Sequence, residues 1–223
     1  MTTLVLWDID HTLIETRGVG GEIYAEAFRL VTGHPLDEMP ALPGRTEPVI
    51  FREALKAHGI ADTGDLYERF ADEEARGYAT RTGELRRRGR VLPRAAEALR
   101  ALASRPDIIQ TVLTGNTRPA AAIKLRTFEL DRYLNLVVGA YGTDDDRRPN
   151  LVKVARQRAE AAYAVRLDPE STVLIGDTPN DVAAARDGGA RIIDVATGSD
   201  IAEDLGQAGA DTVSRMSRRR TTS

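Results

Sequence analysis

Apolar residues along the chain fall into two kinds of run. Short stretches rich in Val, Leu and Ile end abruptly in polar or glycine-containing turns: Leu4–Trp7, Ile108–Leu113, Leu136–Val138, Thr172–Ile175 and Arg191–Val195. Their apolar character suits strands buried on both faces. From about residue 93 they alternate with segments of helical spacing. Pro93 opens one helix with Leu99 and Leu102 on its apolar side, and Pro119 opens another with Ile123 and Phe128. A third carries Val152, Ala155, Ala159 and Tyr163, and a fourth follows Asp181 and stops at Gly188-Gly189. This alternation predicts an α/β protein with a doubly wound parallel sheet covered by helices on both faces.

One stretch breaks the rhythm. Between the first and second strands no convincing strand occurs; helical segments appear instead around Gly21–Val31, Pro48–His58 and Asp65–Tyr78. Thr46-Glu47-Pro48 is a good helix start and Gly59 a plausible stop. The reading is a helical insertion, roughly residues 15–88, placed directly after the first strand. Arg86–Arg90 and the charge run Asp144–Arg148 read as surface loops. The basic tail Arg215–Arg220 reads as a solvated terminus.

Composition narrows the classes of function. The 223 residues suffice for one large α/β domain, or for a core and a small second domain. A net charge of −3 provides no field for nucleic acid or an anionic membrane. The absence of cysteine excludes disulfides, thiolate catalysis and zinc–sulfur sites. No apolar run approaches the ~18 residues of a membrane helix, and no leader pattern precedes Asp8, so a cytoplasmic location is expected. Aromatic residues are only 5%, which assigns core-building to Leu, Val, Ile and Ala.

Candidate chemistry lies at the strand ends. Leu-Val-Leu-Trp-Asp8-Ile-Asp10-His-Thr12 places two carboxylates just past an apolar strand, where open α/β sheets bind ligands. Neighbouring buried acids repel unless a cation or a shared proton relieves them. Gly176-Asp177-Thr178-Pro-Asn-Asp181 ends a second apolar run in the same way. Asp181 reads equally as a helix-start acid and as a member of the site. Asp8, Asp10 and Asp177 together form an all-oxygen set of the kind that suits Mg²⁺. Thr114-Gly115-Asn116, leading into the helix at Pro119, offers a hydroxyl and backbone N–H groups for an anion, although such a sequence also makes an ordinary turn.

In this order the motifs resemble the haloacid dehalogenase superfamily of hydrolases, through residues 4–14, 109–117, 147–152 and 172–190. The resemblance implies a Rossmann-like catalytic core (residues 1–14 and 89–223) with a small α-helical cap domain (residues 15–88), hinged near Glu15–Gly21 and Arg88–Leu92. It implies Asp8 as the nucleophile and Asp10 as the general acid and base. Thr114, Gly115 and Asn116 would hold the phosphoryl group. Asp8, the Asp10 backbone carbonyl and Asp177 would bind Mg²⁺, with Thr12 and Asp181 in support. Two departures stand out: His11 occupies a position that is commonly glycine, and the usual lysine is replaced within Asp146-Arg147-Arg148-Pro149. Arg148 is the choice for the phosphate-neutralising base, with Arg147 and Lys153 as fallbacks.

The closest likeness within the family is to phosphoglycolate phosphatase-like members. The expected activity is Mg²⁺-dependent hydrolysis of a small phosphorylated metabolite through an aspartyl phosphate. A phosphomutase of the β-phosphoglucomutase kind and a non-catalytic phosphate-binding protein are the alternatives. His11, Arg17 and Arg45 are candidate substrate contacts; no protein partner is evident. Asp10 must carry a proton when the leaving group departs, and neighbouring acids should push its pKa up while a metal opposes them.

Overall fold

The structure, a computed structural model, describes residues 2–40, 44–195 and 212–214. Strand β1 (Thr3–Trp7) runs inside the sheet, its side chains alternating between two apolar layers. Leu4 and Leu6 meet Leu151 and Val152 of α7 (Arg148–Tyr163) and Val182 and Ala185 of α8 (Pro179–Gly188). Val5 and Trp7 lie in the opposite layer with Leu99 of α5 (Ala95–Ala103) and Leu125 of α6 (Arg118–Thr127). The Trp7 indole donates to the Gln110 amide at 3.1 Å, and Gln110 donates to the Leu99 carbonyl at 2.9 Å, so these buried polar groups are paired.

The main sheet is parallel throughout, in the order β4 (Ile108–Val112), β1, β5 (Thr172–Gly176), β6 (Arg191–Val195) and β7 (Thr212–Ser214). The chain leaves β1 for β4 on one side, then returns to build β5, β6 and β7 on the other. Winding therefore reverses beside β1, and ligand crevices in open α/β sheets form at such a reversal. Register does the rest. Trp7 pairs with Val112 and with Ile175, so Asp8, Thr114 and Asp177 emerge within one or two residues of a common line.

The insertion begins and ends in a short antiparallel ribbon, β2 (Ile14–Glu15) with β3 (Arg90–Val91). Between them lie α1 (Val19–Thr32), α2 (Glu47–Ala57), α3 (Leu66–Thr80) and α4 (Thr82–Arg88), a small helical cap. Its core is aromatic. Phe28, Phe51 and Phe70, three of the chain's four phenylalanines, pack there with Tyr24 and Leu55. Phe51 and Phe70 lie 4.6 Å apart between centroids, and Tyr24 meets Phe70 edge-on at 4.7 Å. The aliphatic core expected from composition holds for the sheet but not for the cap.

Other expectations are also corrected. Leu136–Val138 is a turn, not a strand: the Asn135 carboxamide oxygen accepts from Val137 N at 3.0 Å, and Tyr141 donates to the Leu136 carbonyl. Arg86–Arg90 is not a loop but the end of α4 and the start of β3. There Arg88 binds Glu22 and Glu84, Arg86 donates to Thr127 O, and Arg90 pairs with Glu15. The run Asp144–Arg148 is only partly surface: Asp144 is clamped by Arg158, and Arg148 is buried. The strand β7 carries no apolar run long enough to be noticed. The basic tail Arg215–Arg220 lies outside the described residues. Among the described residues, no helix is long and apolar enough to cross a membrane.

Candidate active site

The ends of β1, β4 and β5 open into a cavity of about 220 Å³ that the cap covers. Asp8, one residue past β1, is buried there with Asp177 and Asp181, and oxygens of the three carboxylates lie within 4.8 Å of one another. Each is fixed differently. Asp181 forms a capping box with Thr178: Thr178 Oγ1 accepts from Asp181 N, while Asp181 Oδ2 accepts from Thr178 N at 3.1 Å and from its hydroxyl at 2.6 Å. Asp181 Oδ1 accepts from Arg148. Asp181 is thus the helix-start acid of α8 and also lies against Arg148 in the acid cluster. Gly176 makes room for this arrangement, because a Cβ there would collide with the Asp181 carboxyl. Asp177 Oδ1 accepts from Thr12 at 3.0 Å.

Arg148 is the cation of this cluster. Placed at the first turn of α7, it donates to Asp8 Oδ1 at 2.8 Å and to Asp181 Oδ1 at 2.6 Å. The fallbacks do not compete, since Arg147 and Lys153 are exposed. One guanidinium does not balance three buried acids. Burial, with the mutual repulsion of the acids, pushes Asp8 up to about 7 and Asp177 up to about 9 despite Arg148. A compact, all-oxygen set with unrelieved negative charge fits a hard divalent cation. Asp8 and Asp177 are its natural holders, because both oxygens of Asp181 are taken up by Arg148 and Thr178.

Asp10 stands apart. Its carboxylate turns from the acid cluster toward Lys124, whose ammonium reaches Oδ1 at 3.1 Å and Oδ2 at 2.9 Å. Asn116 donates to Asp10 Oδ2 at 2.8 Å and to Thr114 Oγ1 at 2.6 Å, and its own carbonyl oxygen accepts from Lys124. Burial opposes ionisation of Asp10, but Lys124 and Asn116 together hold its pKa below the ordinary carboxylate value. The upward shift expected from neighbouring acids is thus reversed. Thr114, Gly115 and Asn116 lie where expected, lining the cavity.

The segment ahead of α2 brings the cap down onto this floor. Glu47 N donates to the Gly115 carbonyl at 2.9 Å, and Arg45 backs onto Gly115 so closely that a Cβ would overlap the Arg45 carbonyl oxygen. Arg45 lines the cavity but gives its guanidinium to Glu53. His11, in left-handed backbone at φ 62, lines the cavity as well. Arg17 does not: it is exposed, close to Glu15, and its carbonyl accepts from Arg88.

Comparison with known proteins adds the family. The sequence model of the haloacid dehalogenase-like hydrolases matches residues 2–189, most of the chain. The protein belongs to the haloacid dehalogenase-like hydrolase family. This hydrolase is 24% identical over 197 residues to PpaX of Caldanaerobacter subterraneus subsp. tengcongensis, whose name proposes a pyrophosphatase; the match covers 86% of this chain and 81% of PpaX. Its fold is that of CbbY from Rhodobacter sphaeroides, solved with phosphate (TM-score 0.69, 20% identity, 96% of this chain and 93% of that one). It is also that of a hydrolase from Pseudomonas syringae (TM-score 0.67, 20% identity, 96% and 94% covered).

Sequence reasoning missed a second group in the hydrolase's cavity: Lys124, Glu47, Glu74, Tyr24 and Tyr78. A signal existed for two of them. Lys124 lies on the same helical stripe as Thr117, Ala120 and Ala121, and Glu74 interrupts the run Leu66, Phe70, Tyr78 at strict four-residue spacing. A charge on an apolar stripe is either partnered or functional. Glu47 looked like a first-turn acid and nothing more.

Proposed function

We propose that this hydrolase is a Mg²⁺-dependent phosphatase that cleaves a small phosphate monoester through an aspartyl phosphate on Asp8. The observation that carries the reading is the placement of Asp8: at the cavity floor, gripped by Arg148 at 2.8 Å and clustered with Asp177. Arg148 offers a second guanidinium edge to a phosphoryl oxygen and neutralises the charge there. Thr114 and the backbone around Gly115 and Asn116, just ahead of α6, orient the remaining oxygens. Bound at Asp8, Asp177 and the Asp10 carbonyl, Mg²⁺ would supply charge neutralisation for the transferring group.

Asp10 begins ionised, held by Lys124 and Asn116. A phosphate dianion beside it opposes Lys124 and raises its pKa, so that it takes up a proton. It passes that proton to the leaving oxygen as Asp8 attacks phosphorus, then recovers one from the water that hydrolyses the aspartyl phosphate. Residues 15–88 act as the cap unit, and the seating of Glu47 on Gly115 is the closed arrangement that excludes bulk water.

The test is phosphate release from an aryl phosphate in the presence of Mg²⁺. Asp8→Asn should lower kcat by at least about a thousandfold. Asp10→Asn should slow turnover while still allowing a good leaving group to depart, and chelation should abolish activity until Mg²⁺ is restored. Equal rates for wild type and Asp8→Asn would overturn the nucleophile. Conversion of a sugar phosphate into its isomer without net phosphate release would make the protein a mutase instead.

A further inference from the structure

Above Asp10 the cavity holds more acid than its chemistry at phosphorus uses. Glu47 at the start of α2 and Glu74 in α3 both line it, at 5% and 3% exposure, and share a hydrogen bond. Apart from that shared proton, no group bonds Glu47 Oε1, Glu74 Oε2 or the Tyr24 hydroxyl. Unpartnered carboxylate oxygens at this depth are costly, and native structures retain them where something else completes them. Tyr24 and Tyr78 also border the space.

Charge decides what the missing partner is. Around this end of the cavity Asp10 and the Glu47–Glu74 pair, which holds one proton between its two carboxyls, face one ammonium, Lys124. Lys124 is already directed at both oxygens of Asp10 and at Asn116 Oδ1. Its own neighbour Tyr78 shows how a cation sits here: Lys124 Nζ lies 5.0 Å from the centre of that ring. A neutral polyol would bond to the glutamates yet leave the remaining charge of the pair unrelieved. A second cation, flanked by two acids and aromatic rings, would relieve it and fill the empty bonds. The cavity, about 220 Å³ in all, holds only a small molecule.

We propose that Glu47, Glu74 and the Tyr24 and Tyr78 rings form an ammonium subsite, so that the substrate class is the phosphate esters of small amino alcohols. This rests on the phosphatase reading for the other end of the molecule: phosphate at Asp8 and Arg148, the cationic nitrogen in the cap. Glu74, reaching down from α3, then makes cap closure sensitive to the leaving group.

The closing experiment separates the two ideas by measuring binding as well as turnover. Calorimetric titration of the Asp8→Asn protein with O-phosphoethanolamine and with its neutral counterpart, 2-hydroxyethyl phosphate, reads the subsite without hydrolysis. The ammonium ester should bind at least about tenfold more tightly, a step of one decade in Kd. In wild type the same pair should differ at least as much in kcat/KM. Adding Glu74→Gln or Glu47→Gln should shrink the preference toward parity. Equal or tighter binding of the hydroxyl ester overturns the subsite whether or not the glutamine variants fold. Failure of the wild type to release phosphate from an aryl ester, with the ammonium preference intact, would instead overturn the phosphatase reading and leave the subsite standing.

Discussion

Lys124 aims its ammonium at three oxygens, two on Asp10 and one on Asn116, while packed under Tyr78. Burial works against its charge, but Asp10, Tyr78 and Glu74 outweigh that and raise its pKa. Replacing it with methionine keeps the stem and removes the charge that pairs with Asp10. Truncating one partner of a buried pair costs about 3–5 kcal/mol; with the Asp10 side chain 35% exposed, about 2–3 kcal/mol is expected for Lys124→Met. The pH dependence has a definite sign. Because the folded pKa of Asp10 is depressed below 3.8, its stabilising charge is fully present above that value and is lost as the acid is protonated below it. Denaturant melts should therefore show the widest gap between wild type and Lys124→Met near neutrality and a narrower gap below pH 4. The signal for this residue was legible, a lone lysine on an alanine-rich stripe. Its partner was not, because nothing local says that α6 brings Lys124 to the end of β1.

At the scale of elements, the segment preceding α2 seats the cap on the active-site loops, while α3 and α4 pack on α6. Glu47 N bonds the Gly115 carbonyl, and Thr46 Oγ1 reaches Asp146 O at 3.2 Å, while Arg52 pairs with Asp146. A methyl group on Gly115 would overlap the Arg45 carbonyl, so Gly115→Ala should hold the segment off its seat. A displacement of about 1 Å at a catalytic centre costs roughly a hundredfold, and kcat/KM for any substrate should fall by about that much. Thermal stability should change little, because the main cores of sheet and cap lie elsewhere. Elements with a strong local signature were legible in advance: four of the five parallel strands, the proline-opened helices and the three longer cap helices. Leu136–Val138 misled because three apolar residues satisfy a strand pattern, whereas Asn135 before them closes a turn. Helix α4 escaped notice because its surface is almost wholly arginine and glutamate, with only Leu85 buried.

For the molecule as a whole, the acid cluster links stability to pH and to metal. Asp8 and Asp177 have pKa values raised from 3.8 to about 7 and about 9, so the folded metal-free protein binds more protons than the unfolded chain across that range. Its stability therefore falls as pH rises from about 4 to about 9. A bound cation reverses the repulsion, so Mg²⁺ should flatten this decline and stabilise most at the alkaline end, where protons no longer compete. At roughly a hundred times its Kd, the metal should raise Tm by roughly 5–10 °C near pH 8 and by much less near pH 5, as scanning calorimetry would show. Asp8 and Asp177 were readable together because each follows an apolar strand, and β-sheet register turns that one-dimensional coincidence into proximity; Asp10, read as a third member of their set, instead turns its carboxylate to Lys124, and Asp181 takes its place in the cluster. Glu47 and Glu74 were not, since their burial comes from helices meeting across the cap.

The two-residue ribbon of Ile14–Glu15 with Arg90–Val91 has a bearing on how such an enzyme diversifies. Because the insertion begins and ends at adjacent, paired residues, everything between them is, to the core, a single closed loop. The entropy of closing a loop grows only with the logarithm of its length, roughly 0.6 kcal/mol for each doubling. Helices can thus be lengthened, shortened or exchanged inside the ribbon without rerouting a strand or disturbing the carboxylates beneath. The sheet can keep one reaction across a lineage while the ribbon admits new covers, each bringing a different set of side chains down onto the same aspartates.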